Sequence, residues 1–244
     1  MRYLIFAIAL LVFPGACISP APPETVYDYL QEGERFFEKG LFNNAIEAWE
    51  KVRESYYSPE LTALAEMKIA EAHYQAKHYG EAAAIYEDFL KQHPDHQRTS
   101  QILYQLGMSY YNQILSPDRD QNATHRALAT FKDLTERFPG TPETEEVNVL
   151  MSRCRNQLAA HELYVGHFYL RTNHLKAAIS RLKEIFTLYP GYDEQDKAYY
   201  YLGQAHLKNG DRQKAVESFN TLTKKFPESK YAIQAKKLFE KQRI

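Results

Sequence analysis

What most constrains this chain is a helical hairpin that recurs five times. Four copies close on a bulky residue and proline: Gln92-His93-Pro94, Arg137-Phe138-Pro139, Leu188-Tyr189-Pro190 and Lys225-Phe226-Pro227. The first closes more loosely, at Tyr57-Ser58-Pro59. Upstream of each stands an alanine (Ala45, Ala82, Ala127, Ala178, Ala215), and four residues later a large residue (Trp49, Tyr86, Phe131, Leu182, Phe219). A second small residue marks each preceding helix: Gly33, Ala70, Gly107, Gly166 and Gly203. A unit of this size cannot bury its apolar face alone, so copies must stack, and stacking makes an extended solenoid rather than a globule.

Small residues in both helices let the two backbones of a hairpin cross closely, with bulky neighbours such as Leu106 and Leu202 filling the groove. Proline then stops the second helix, because it cannot donate to the preceding turn. This is the tetratricopeptide (TPR) pattern. The expected fold is an all-α, TPR-type α-solenoid of five helical hairpins plus a C-terminal capping helix, Ser229 to Gln242, with a charged outer face (Lys236, Lys237, Glu240, Lys241). Gly40, Gly80 and Gly210 mark or adjoin the turns within hairpins one, two and five, and Asn173 does so in hairpin four. Such repeats bind other proteins far more often than they catalyse.

The N-terminus reads as a targeting segment. Arg2 precedes a ten-residue apolar run, Leu4 to Phe13, too short to span a bilayer. The run closes on Gly15-Ala16-Cys17, which looks like the lipobox of bacterial lipoproteins, with Pro14 where an aliphatic residue is usual. Residues 1–16 are then a lipoprotein signal peptide, and Cys17 carries acyl chains; the alternative is an ordinary secretory leader with an incidental cysteine. Ile18 in place of an acidic residue points to the outer membrane, and Pro20, Pro22 and Pro23 stiffen a tether over residues 17–25. The other cysteine, Cys154, lies in a helical pattern and reads as a buried small hydrophobe.

Charge and motifs exclude other classes. The net charge is −1, so nothing supplies the basic field that phosphate backbones require, and nucleic acid is not an expected partner. Among nine histidines, His93 and His96 flank an inter-repeat turn, but no cysteine or glutamate nearby in sequence completes a zinc set. His161-Glu162 lacks the second histidine of a zincin helix. No phosphate loop, nucleophile elbow or Cys-His pairing is present, so no catalytic residue, metal or cofactor is expected. The 19 tyrosines suit a binding surface, although repeat packing accounts for many of them.

Two copies deviate. In the third, the small residues of the two helices are 20 apart against 12 in the others, the excess falling around Leu115-Ser116-Pro117-Asp118-Arg119-Asp120-Gln121-Asn122, a polar loop. After Pro139, Glu143 to Leu158 reads as one long helix running on towards His161. Asp118-Arg119-Asp120-Gln121, then Ala127 and Phe131, then Phe138-Pro139, resembles the third repeat of the BamD (ComL/YfiO) family of TPR lipoproteins. The next stretch is similar again: Arg155-Asn156-Gln157-Leu158-Ala159 with Glu162, Val165 and Phe168-Tyr169, then Ala177-Ala178-Ile179 with Arg181.

That resemblance covers essentially the whole chain and implies a scaffold of the outer-membrane β-barrel assembly machinery, at the periplasmic face of the outer membrane. It implies docking to the periplasmic domains of an Omp85-type barrel assembly protein and binding of unfolded outer-membrane proteins, and it leaves room for other assembly lipoproteins. The implied division is residues 26–142 (repeats 1–3) for substrate and 143–244 for the barrel partner. Arg181 matches a partner-binding arginine of the family; read on its own it is a solvated helix charge. Tyr169, Asp118, Arg119 and Asp120 are grouped with it. Tyr56 matches a family tyrosine, and Tyr57 stands beside it in place of a usual proline; the two either clasp an extended aromatic substrate or seal the joint between repeats one and two. A different envelope TPR adaptor, for secretin, pilus or cell-wall assembly, is the alternative, and its marker would be a third repeat without the Asp118–Gln121 insertion.

Overall fold

The computed structural model describes residues 25–55 and 57–242. The signal peptide, Cys17 and Tyr56 lie outside the described residues. Eleven helices follow one another in the described chain: α1 (Val26–Glu38), α2 (Phe42–Glu54), α3 (Pro59–Gln75), α4 (Tyr79–Gln92), α5 (Thr99–Tyr111), α6 (Asn122–Arg137), α7 (Thr144–Arg171), α8 (Leu175–Leu188), α9 (Gln195–Lys208), α10 (Arg212–Lys225) and α11 (Lys230–Gln242). Each packs on its predecessor and its successor, the pattern of five stacked hairpins and a cap.

The hairpins close where the small residues predict. A Cβ built on Gly107 would lie 2.4 Å from Phe131 Cε1, and one on Gly203 2.4 Å from Phe219 Cε1. On Gly33 it would meet the Trp49 ring at 2.2 Å, and on Gly166 the Leu182 side chain at 2.7 Å. In these four hairpins the large residue four positions after the alanine therefore sits directly on the facing glycine. Trp49, Phe131, Leu182 and Phe219 are almost fully buried there, and removal of such large side chains from water is a major apolar gain of these repeats.

Between hairpins the chain leaves each second helix in one conformation. The residues capping α4, α6, α8 and α10 are His93, Phe138, Tyr189 and Phe226, all near φ −130°, ψ 60°, and each precedes proline. The first joint is different. Pro59 starts α3 at its first turn, where no N–H is needed, and the Ser58 hydroxyl accepts the Leu61 N–H at 3.2 Å. That proline opens the next helix and does not end α2.

Within the hairpins, four first helices end in the same turn. The N–H of Leu41, His78, His174 and Asp211 reaches back to the carbonyl of Phe36, His73, Tyr169 and His206 at 2.8–2.9 Å. The turn needs a left-handed residue, supplied by Gly40 (φ 72°), Asn173 (φ 62°) and Gly210 (φ 88°). In hairpin two it is the exposed Lys77 (φ 64°) that takes this position, not Gly80, which lies inside α4. The third hairpin replaces the turn with the ten-residue segment 112–121.

The extension after Pro139 and the first helix of repeat four are one helix, α7, of 28 residues. Val147, Leu150, Met151 and Cys154 pack into the core of repeats two and three, whereas Ala159, Leu163 and Leu170 pack into that of repeat four. Cys154 is fully buried, and burial pushes its thiol up to about 11. Beyond α10, α11 buries Ala232 and Ala235 and exposes Lys236, Lys237 and Glu240.

Three substitutions, one expected to destabilise and two to stabilise, test this packing and its turns. Gly107→Ala gains about 1 kcal/mol of helix propensity but forces a methyl into Phe131, so urea unfolding should show a net loss of about 1–2 kcal/mol. Gly80→Ala, whose Cβ meets nothing nearer than Gln113 Oε1 at 3.9 Å, should gain about 0.5–1 kcal/mol. Lys77→Gly relieves a left-handed side chain and should likewise raise stability, by about 0.5–1 kcal/mol.

Candidate functional site

The residues of α7 between Asn156 and Glu162 hold three neighbouring segments. Asn156 faces the α8–α9 connection: its Nδ2 donates to Asp193 Oδ2 at 2.8 Å, and its Oδ1 accepts the Asp193 N–H at 3.2 Å. Gln157 Nε2 donates to the Leu115 carbonyl at 2.6 Å. His161 Nδ1 lies 2.7 Å from the Pro117 carbonyl; a carbonyl only accepts, so Nδ1 carries the proton. Leu158 and Ala159 are buried, and Glu162 faces α8.

Gln157 and His161 thus latch the long loop of the third hairpin onto repeat four. The loop is also tied to itself by the buried Gln121, whose Nε2 donates to the carbonyls of Ser116 and Arg119, both at 3.0 Å, and whose Oε1 accepts from Thr124 at 3.0 Å. Asp118 Oδ1 accepts from Ser116 Oγ at 2.5 Å, a bond that holds its carboxyl below the usual range. Asp120 Oδ1 accepts the Asn122 N–H at 2.9 Å, occupying a donor at the start of α6. Both aspartates therefore shape the loop. Arg119 is exposed, and its side chain makes no ion pair among the described residues.

Arg181 is neither solvated nor buried. Its Nη1 bridges both carboxylate oxygens of Glu162, each at 3.1 Å. The Glu162 side chain is 14% exposed and that of Arg181 43%, so the guanidinium is oriented from beneath and open from above. The Glu162 charge raises the arginine's pKa further, keeping it a permanent cation. Tyr169, on the same helix as Glu162, is half-buried. Its ring meets those of Phe168 (5.8 Å) and His174 (6.0 Å) edge-on, and Phe168 is exposed. The sequence contains the pair, but nothing in a 19-residue separation marks Glu162 as the partner of Arg181.

At the other end, Tyr57 is 63% exposed and lies edge-on to the equally open Tyr27, ring centres 6.0 Å apart. The core at the joint of repeats one and two is built without it, from Trp49 and Val52 against Ala65, Ile69 and Ala72.

Two clefts, neither legible in the sequence, lie along the first helices. One, of about 370 Å³, runs between α3 and the start of α5, lined chiefly by Pro59, Ala63, Leu64 and Met67 with His96 and Arg98 at its rim. It adjoins a smaller cavity that shares Leu64, Met67 and Arg98 and adds Lys68 and Glu71. His93 and His96 pack on the Phe89 ring at 4.7 and 5.2 Å, and among the described residues no three metal-ligating side chains cluster. The other cleft, of about 310 Å³, is bounded by Pro117 and Asp118 of the latched loop and by Tyr164, Tyr192, Lys197 and Tyr201. There His167 stacks on Tyr201 (4.3 Å, 9°), and burial together with Arg171 and Lys197 disfavours its charged form.

The YfiO family model, described as an outer membrane lipoprotein, matches residues 22–215. The outer membrane protein assembly factor BamD of Caulobacter vibrioides is 26% identical over 225 residues, covering 92% of this chain and 73% of that protein. BamD of Rickettsia prowazekii is 28% identical, covering 89% of this chain and 86% of its own. BamD of Vibrio cholerae is 26% identical, covering 88% and 96%.

The latch is open to a direct test. Gln157→Ala with His161→Ala should speed amide exchange across residues 113–121 and lower stability by about 1–3 kcal/mol, leaving helical content unchanged. Unaltered exchange would mean that Gln121 alone holds the loop.

Proposed function

The chain belongs to the YfiO family of outer membrane lipoproteins, and we propose that it is a scaffold for outer-membrane protein assembly, holding an Omp85-type barrel protein at one end and an unfolded barrel substrate at the other. Cys17 anchors it to the periplasmic face of the outer membrane through acyl chains, and the work is done by binding alone.

In this reading the C-terminal half, from α7 onward, docks the periplasmic domains of the barrel protein. The observation that carries it is the Glu162–Arg181 pair. A guanidinium already oriented by a more buried carboxylate loses little freedom when it meets a partner, and its remaining donors match an acceptor pair. Tyr169 and Phe168 supply apolar area beside it, and Arg119 supplies a second cation from the latched loop, which Asp118 and Asp120 shape.

The N-terminal half receives substrate. The apolar cleft between α3 and α5 suits the alternating side chains of an extended strand, and the exposed Tyr27–Tyr57 pair, with Tyr56 adjoining, offers flat surfaces for an aromatic residue.

Reversing the charge in Arg181→Glu places two carboxylates together and should lower recovery of the barrel partner in co-purification about tenfold or more, with unchanged helical content. Unchanged recovery would remove Arg181 from the interface.

A further inference from the structure

The formal charge of −1 conceals a strong separation. Residues 25–207 carry 19 lysines and arginines against 26 aspartates and glutamates, a net of −7; residues 208–242 carry nine against four, a net of +5. The basic end is the last repeat and its cap, the end of the helix order opposite to the one the tether joins.

Five of the lysines in this stretch lie on its open surface. Elsewhere two exposed lysines meet carboxylates, Lys91–Asp88 and Lys132–Glu136, and the other exposed lysines are scattered along an acidic stretch, so what sets this end apart is the concentration of lysines in it. At this end Lys224, Lys225, Lys230, Lys236 and Lys237 are all exposed, and among the described residues none has a carboxylate within 4 Å. Ile233 is also exposed, and on α11 its spacing to Lys236 and Lys237 (i+3, i+4) places all three on one exposed face, which borders the stripe of the buried Ala232 and Ala235. Lys230 lies 5.0 Å from the centre of the Tyr231 ring, and Lys225 5.6 Å from that of Tyr199. A cap that only keeps the solenoid soluble needs a polar face of mixed sign; one sign concentrated here adds self-repulsion instead.

We infer that this lysine-rich end, Lys224 to Lys237 with Ile233, docks on the anionic phospholipid headgroups of a membrane surface, giving the chain a second attachment beyond its N-terminal anchor. The residue type decides between lipid and protein. Eight of the nine cations in residues 208–242 are lysine, a hydrated point charge that suits a diffuse layer of phosphates. Protein interfaces enrich arginine and deplete lysine. An exposed isoleucine amid lysines adds the apolar contact typical of interfacial helices. The inference rests on membership of an outer membrane lipoprotein family and not on the role given to Arg181. Held near the surface by its tether, the chain meets this second, weak site at high effective concentration.

The test uses the chain from Ser19 onward, which keeps every described residue and carries no acyl group. It is cosedimented with phosphatidylcholine vesicles, with and without phosphatidylglycerol, at low and high salt. Binding should require phosphatidylglycerol and fall steeply with salt. Lys236→Gln with Lys237→Gln should weaken it roughly 10- to 30-fold. Lys39→Gln with Lys77→Gln, at the acidic end, should leave it unchanged, as should Arg181→Glu. Equal binding to neutral vesicles, no binding to either, or equal loss in the Lys39/Lys77 control overturns the inference. So does loss of the barrel partner in the Lys236/Lys237 variant with vesicle binding intact, which assigns the patch to an acidic protein instead.

Discussion

A residue without a side chain, facing a ring from the next helix, is the contact on which the solenoid depends. Gly33, Gly107 and Gly203 let Trp49, Phe131 and Phe219 approach their backbone more closely than any Cβ would permit, and Leu182 does the same at Gly166. That approach fixes the distance between the helices of a hairpin, and dispersion and burial then favour the large residue over any smaller one. Each hairpin still exposes an apolar flank, which the following one covers. The fold is therefore a chain of nearest-neighbour dependencies, without one dominant core.

α7 interrupts that modularity. Its first half belongs to the core of repeats two and three and its second to that of repeat four, so the halves share a continuous helix of about 42 Å. The segment from Asn156 to Glu162 then fastens the α8–α9 connection, the inserted loop and Arg181. The two stretches that carry the family resemblance, far apart in sequence, are thus two sides of one latch. The loop is positioned by repeat four, and Arg181 by the same helix that holds the loop.

The hairpins were legible because their signals are local and periodic: a small residue, a large one four positions on, a proline at the end. The inserted loop and the cap were legible as breaks in that period. Less could be read where two conformations compete. Gly80 looked like the turn of hairpin two, yet the left-handed residue of the repeating turn is Lys77, just before His78 returns its N–H to His73, and Gly80 already lies inside α4. Pro59 looked like a looser version of the terminating prolines, but it stands 14 residues after Ala45 where the others stand 12 after their alanines, and Ser58 caps α3 and makes it an initiator. The Arg181–Glu162 pair and the exposure of Tyr57 depend on which helix faces lie opposite, which no single segment encodes. The clefts are gaps between first helices and have no sequence mark at all.

The four matching caps at His93, Phe138, Tyr189 and Phe226 give the chain the same exit direction at the ends of hairpins two to five. The pitch of the superhelix is thereby written into the joints rather than into the hairpins. Evolution could lengthen the third hairpin at its inner turn, on the rim away from those joints, without rotating anything downstream. Addition of new surface was in this way separated from alteration of the curve on which that surface is carried.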